Sequence, residues 1–141
     1  MELDSPEFRF LLNEFKKGKV ENFYTIIDIS LYLLEEELLQ DKITDELVLT
    51  CFVAFIQAIK NYTFEKATTF ANFVSTYVHL SKLVAIEGQL FLESSMLELY
   101  LPSLGIHLET EDLMNYVLKV KENIIRKRKN TSEKTKIFKK S

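Results

Sequence analysis

Few side chains in this chain are spaced to do covalent chemistry. His79 and His107 are the only histidines, and no second histidine stands four residues from either. Cys51 is the only cysteine, so neither a disulfide nor a His/Cys zinc set can be assembled within one chain. Ser94 and Ser95 lie in a helical pattern without a nearby base, which removes the usual means of activating a hydroxyl. Glu35, Glu36 and Glu37 form a run of carboxylates. Paired carboxylates can do acid–base work, but a consecutive run on a helix reads as a solvated face. No glycine-rich phosphate loop and no calcium-binding loop is present. The expectation is a protein that is not an enzyme, with no cofactor and no metal.

The strongest chemical signal is electrostatic. Residues 126–141 hold eight bases, namely Arg126, Lys127, Arg128, Lys129, Lys134, Lys136, Lys139 and Lys140, against Glu133 alone, a net of +7. Residues 1–125 hold ten bases and twenty acids, a net of −10. An acidic body followed by a basic segment predicts a partner carrying negative charge, reached through those eight side chains. Nucleic acid, anionic lipid and the acidic tails of microtubules all fit, and the tight cluster Arg126–Lys129 also has the form of a nuclear-localisation patch. The acidic body weighs against a dedicated nucleic-acid binder, which usually carries basic residues on its folded face as well.

The elements that would carry these groups are helices. The chain has 141 residues, 47% of them apolar, with only three glycines and two prolines. Such a chain can bury one core and is poor in the turns a sandwich or barrel needs. Six helices in an antiparallel-type bundle are expected. Ser5 caps the first, with Pro6 at its first position and Gly18 at its end. The second runs from about Phe23 to Gln40, with Asp28 near the buried side and in need of Lys16, Lys17 or Lys19. Thr44 caps the third, whose segment LVLTCFVAFIQAI is apolar all round and therefore central. Cys51 lies within it and packs as a small hydrophobe, which suits a reducing compartment.

Thr63 is expected to cap the fourth and longest helix, reaching about Glu87 with a stripe through Phe64, Ala67, Phe70, Ala71, Val74, Val78, Leu80 or Ser81, and Leu83. The fifth spans Leu90–Leu101 and is stopped by Pro102. Thr110 caps the sixth, whose apolar stripe fades at Ile125. The helical domain is placed at 1–129, and 130–141 is expected to be a basic tail, disordered in isolation. No apolar run reaches the length of a membrane span, and the acidic N-terminus lacks the apolar stretch of a secretory signal. The six tyrosines read as bundle packing with a wet hydroxyl.

Two segments carry a resemblance. ENFYTIIDISLYLLEEELL, residues 21–39, and YTFEKATTFANFVSTYVHLSKL, residues 62–83, flank the central helix, and ELYLPS follows at 98–103. This order is similar to that of a family of small helical ciliary proteins that includes the ciliary-associated calcium-binding coiled-coil protein and related cilia- and flagella-associated proteins. It covers residues 20–104. The family's aromatic His-Tyr-x-Leu-Tyr signature is not reproduced, and no calcium ligand set transfers. The resemblance implies a non-enzymatic structural or adaptor role in an axonemal assembly, with a protein partner such as tubulin, and a location in the cytoplasm, cilium or flagellum. Two alternatives stand beside it: a nuclear or nucleic-acid-associated protein using the basic tail, and a viral-type helical host-interaction protein built around the central helix.

Overall fold

Six α-helices, and no strand among the described residues, make up the computed structural model. It describes residues 1–64 and 67–140, the side chains of 132–140 excepted. The first helix, α1 (Pro6–Lys16), starts as expected: the Ser5 hydroxyl accepts from the Phe8 backbone N–H and Pro6 occupies the first turn. Gly18, at φ +101°, takes the chain out of α1 and into α2 (Val20–Leu38). The Thr44 hydroxyl accepts from the Leu47 N–H at the start of α3 (Asp45–Asn61). That helix is buried on nearly every side, from Leu47 to Ile59. It is the central helix that its unbroken apolar run requires.

Three helices surround α3, and paired contacts give their directions. Across α3 and α4 (Phe70–Gly88), Gln57 meets Tyr77, and Tyr62, at the end of α3, stacks on Phe73, so the two helices run antiparallel. The long last helix, α6 (Thr110–Lys140), also opposes α3: Phe52 stacks on Tyr116, and Lys121 pairs with Asp45 at the start of α3. Beside α2, however, α6 runs parallel. Tyr24 meets Asp112, Asp28 meets Tyr116, Glu35 meets Asn123, and Leu39 meets Arg128. The return needed for this direction is made by residues 89–104, which hold a 3-10 turn (Ser94–Met96) and a short helix, α5 (Leu97–Ser103). This stretch runs alongside α3: Thr50 accepts from the Leu92 N–H, Gln57 donates to the Tyr100 hydroxyl, and Lys60 donates to the Leu104 carbonyl.

Several boundaries differ from the sequence reading. The fourth helix begins at Phe70 rather than Thr63, and its cap is Thr69, whose hydroxyl accepts from Asn72. Asp4, from the far end of the chain, accepts from the Phe70 N–H, so a long-range contact selects this start. The expected cap residue Thr63 lies outside the helix, and Glu65 and Lys66 lie outside the described residues. α4 ends at Gly88, and the residue after it, Gln89, is left-handed at φ +52°. Pro102 sits inside the last turn of α5 rather than beyond it. Across Lys129 and Asn130, where composition changes, α6 continues without a break.

Candidate functional site

The C-terminal ends of α2 and α4 share a network of charges. Glu35, read from sequence as part of a wet face, is 5% exposed. It accepts from the Asn123 amide at 2.9 Å and pairs with Lys127 at 3.3 Å, both on α6. Glu37 accepts from Lys82 at 2.9 Å and from His79 Nδ1 at 2.5 Å, and Asp41 accepts from Lys82 at 2.9 Å. Of the three glutamates, Glu36 alone is exposed. The correction follows from topology, because the parallel α6 lays its polar side on the end of α2.

Lys82 is 8% exposed and occupies the α4 stripe of Phe70, Val74 and Val78, one turn on. Burial alone would lower its pKa, but the hydrogen bonds to Glu37 and Asp41 outweigh that, and the net direction is up. Burial likewise would raise Glu37, and the bonds from Lys82 and His79 bring it below the ordinary range. Asp28 does not meet the lysines proposed from sequence. It lies exposed and accepts from the Tyr116 hydroxyl at 2.9 Å.

The basic cluster divides between the body and solvent. Arg128 donates from Nε to the Leu39 carbonyl at 2.7 Å and from Nη2 to the carbonyls of Leu38, at 3.3 Å, and of Asp41. These carbonyls end α2, where cations are favoured. Lys127 is held by Glu35, while Arg126 and Lys129 face solvent. Of the expected tail contacts, Lys134, Lys136, Lys139 and Lys140 have side chains outside the described residues.

A lysine at the inner position turns the apolar residues of the second half of α4 outward. Leu80, Leu83, Val84 and Ile86 are exposed, as are Leu90, Phe91, Met96, Leu99 and Tyr100 in the stretch that follows. Val84 is 64% exposed and Leu99 83%. Part of this surface is a groove of about 380 Å³. Its floor is one face of α3 (Thr50, Val53, Ala54, Gln57), and its walls are Leu80, Ser81 and Val84 of α4 and Leu90, Leu92 and Tyr100 of the returning stretch. From residue 83 to 118 the sequence contains no Lys or Arg, and Glu87, Glu93 and Glu98 of the same segments are exposed. The arrangement can hold an apolar helix face with cations at its margin. It offers no nucleophile–base pair.

Sequence reasoning missed this groove because it took Leu80 and Leu83 for core. The available signal was an excess: a helix carrying apolar residues at 78, 80, 83, 84 and 86 has more than one apolar face. The remaining candidates have quiet surroundings. Cys51 is buried, and burial pushes its thiol up to about 12, so it packs as a hydrophobe. Among the described residues no group of three or more His, Cys, Asp or Glu is placed to hold a metal ion, and no helix is long and apolar enough to cross a membrane. The chain matches no protein-family model, no curated protein and no solved structure.

Proposed function

We propose that this chain is a non-enzymatic helical interaction protein whose α3–α4 groove receives a basic amphipathic helix from a partner protein. The observation that carries the reading is the set of exposed apolar residues on α4 and residues 90–100, in a segment where Glu87, Glu93 and Glu98 are exposed and no Lys or Arg occurs between 83 and 118. Soluble monomers rarely leave a large contiguous apolar patch open without a binding role. Helix-in-groove recognition supplies a suitable occupant, with apolar anchors at i, i+3/i+4 and i+7 against the floor. The exposed glutamates favour lysines and arginines flanking those anchors.

The ciliary resemblance suggests an axonemal or flagellar assembly as the setting. Arg126, Lys129 and the lysines beyond them would add attachment to an acidic surface such as that of tubulin. Lys127 and Arg128 already have partners on α2, so fewer cations of the cluster face outward than the sequence count suggests.

The test is titration of the full chain with a designed 20-residue helix of leucine and lysine, beside its leucine–glutamate counterpart. The basic helix should bind, and Val84→Glu should weaken it at least tenfold while leaving the circular dichroism spectrum unchanged. Equal binding of both helices, or no effect of Val84→Glu, overturns the reading. So does sedimentation showing that a second copy of the chain fills the groove.

A further inference from the structure

At the other end of α2 lies a cleft of about 400 Å³, separate from the groove and from the Lys82 network. Phe15, Val20, Phe23 and Ile106 make it apolar, and Phe23 and Ile106 are buried residues of the core edge. Lys16, Lys60 and His107 complete the lining, and no carboxylate is among the described lining residues. Four of the ten bases in residues 1–125 gather here, since Lys17 and Lys19 flank the lining residue Gly18 and share Glu14. A basic locus with an apolar wall, on a body with a net of −10, is an exception to the charge of its surroundings.

The two lining lysines have structural duties. Lys16 donates to the Tyr62 carbonyl at the end of α3, and Lys60 donates to the Leu104 carbonyl at the end of α5. Capping of helix-end carbonyls explains why lysines stand there. It does not explain the open apolar cleft beside them. An ammonium has three donors, so the bond to Leu104 leaves Lys60 able to hold an anion as well. Gly105, at φ +71°, permits the arrangement: a Cβ at that position would collide with Lys60 Nζ. The volume lies at the small end of ligand sites, roughly 300–1,000 Å³, and a few polar groups on an apolar wall is their usual make-up.

We propose that this cleft binds a small amphiphilic anion, a medium-chain acyl or aryl carboxylate. Its apolar part lies against Phe23 and Ile106, and its carboxylate meets the ammonium group of Lys60. The ligand is a free, monomeric carboxylate and not the surface of a bilayer.

The test compares decanoate, decanol and decylammonium by calorimetry and by amide chemical shifts in the full chain. Decanoate should bind at least tenfold more tightly than decanol and should shift the resonances of Phe23, Gly105 and Ile106. Lys60→Met should weaken decanoate about tenfold and leave decanol unchanged. Because Lys60→Met also removes a helix-end contact, Val20→Trp provides a second variant that narrows the cleft without touching a cap, and it should weaken both ligands. Equal affinity for the three compounds overturns the proposal, as does an unchanged decanoate affinity in Val20→Trp. Binding to phosphatidylglycerol vesicles that decanoate fails to compete away would overturn it too.

Discussion

Replacing Lys82 with Met tests the network between α2 and α4. Methionine keeps an unbranched apolar stem of similar reach, so packing against Val78 and Ala85 is largely retained and the loss is electrostatic. The parent ammonium, 8% exposed, donates to Glu37 and Asp41 at 2.9 Å each and to the Glu37 carbonyl at 3.0 Å. A hydrogen bond to a charged group contributes about 1.5–3 kcal/mol. Both carboxylates keep some contact with water, so the lower figure applies, and two such bonds give about 3 kcal/mol at pH 7.

The pH dependence follows from the direction of each shift. Glu37 is held below its unfolded value of 4.5, so its contribution is present above that pH and is lost as pH falls through the folded value. Lys82 is held above its unfolded value of 10.5, so its contribution is full below that pH and is lost as pH rises through the folded value. In Lys82→Met, Glu37 loses the cation that holds its pKa down, so its share of the stabilisation is already absent at pH 7. The gap between parent and variant should therefore narrow as pH falls from 7 through the folded value of Glu37. His79, the other titratable partner of Glu37, is present in both chains. Urea denaturation followed by circular dichroism at pH 7 and at progressively lower pH measures the gap. A difference below about 1 kcal/mol at pH 7, or one that does not change with pH, refutes the reasoning.

Other perturbations have definite outcomes. Arg128→Ala removes the donors from the end of α2 and should cost about 2 kcal/mol in urea denaturation, whereas Lys129→Ala, one residue on and exposed, should stay within about 0.5 kcal/mol. Gln89→Gly relieves a left-handed position at the end of α4 and should stabilise by about 0.5–1 kcal/mol, measured as a rise in the urea midpoint. The Cys51 thiol, buried and pushed up to about 12, should react with a thiol-specific disulfide reagent at the rate of unfolding, and several-fold faster once about 4 M urea is added.

Local signals were legible where the determining atoms are neighbours in sequence. Ser5 with Pro6 and Thr44 with Leu47 are caps whose donor and acceptor lie three residues apart, and both helices begin where those residues stand. Thr63 and Thr69 offer similar local signals, and Asp4 at the Phe70 N–H decides between them from 66 positions away. Glu35 looks the same in sequence as Glu36, yet Asn123 and Lys127 cover one while the other stays wet. The groove was illegible for a related reason: Lys82 takes an inner position because Glu37 and Asp41 meet it there, and Leu80, Leu83 and Val84 are consequently left outside.

By itself the sequence determined an all-helical chain, a fully apolar α3 at its centre, the caps of α1 and α3, and an acidic body ahead of a basic segment. Those properties depend on residue type and on spacings of three or four positions, within reach of one helical turn. Tertiary structure alone decided that α6 runs parallel to α2, that Lys127 and Arg128 close the end of α2, and that an apolar groove and a lysine-lined cleft stay open. Each of these depends on groups beyond the reach of one helical turn, as far as the 92 residues between Glu35 and Lys127, and the direction of α6 follows from the way residues 89–104 return along α3.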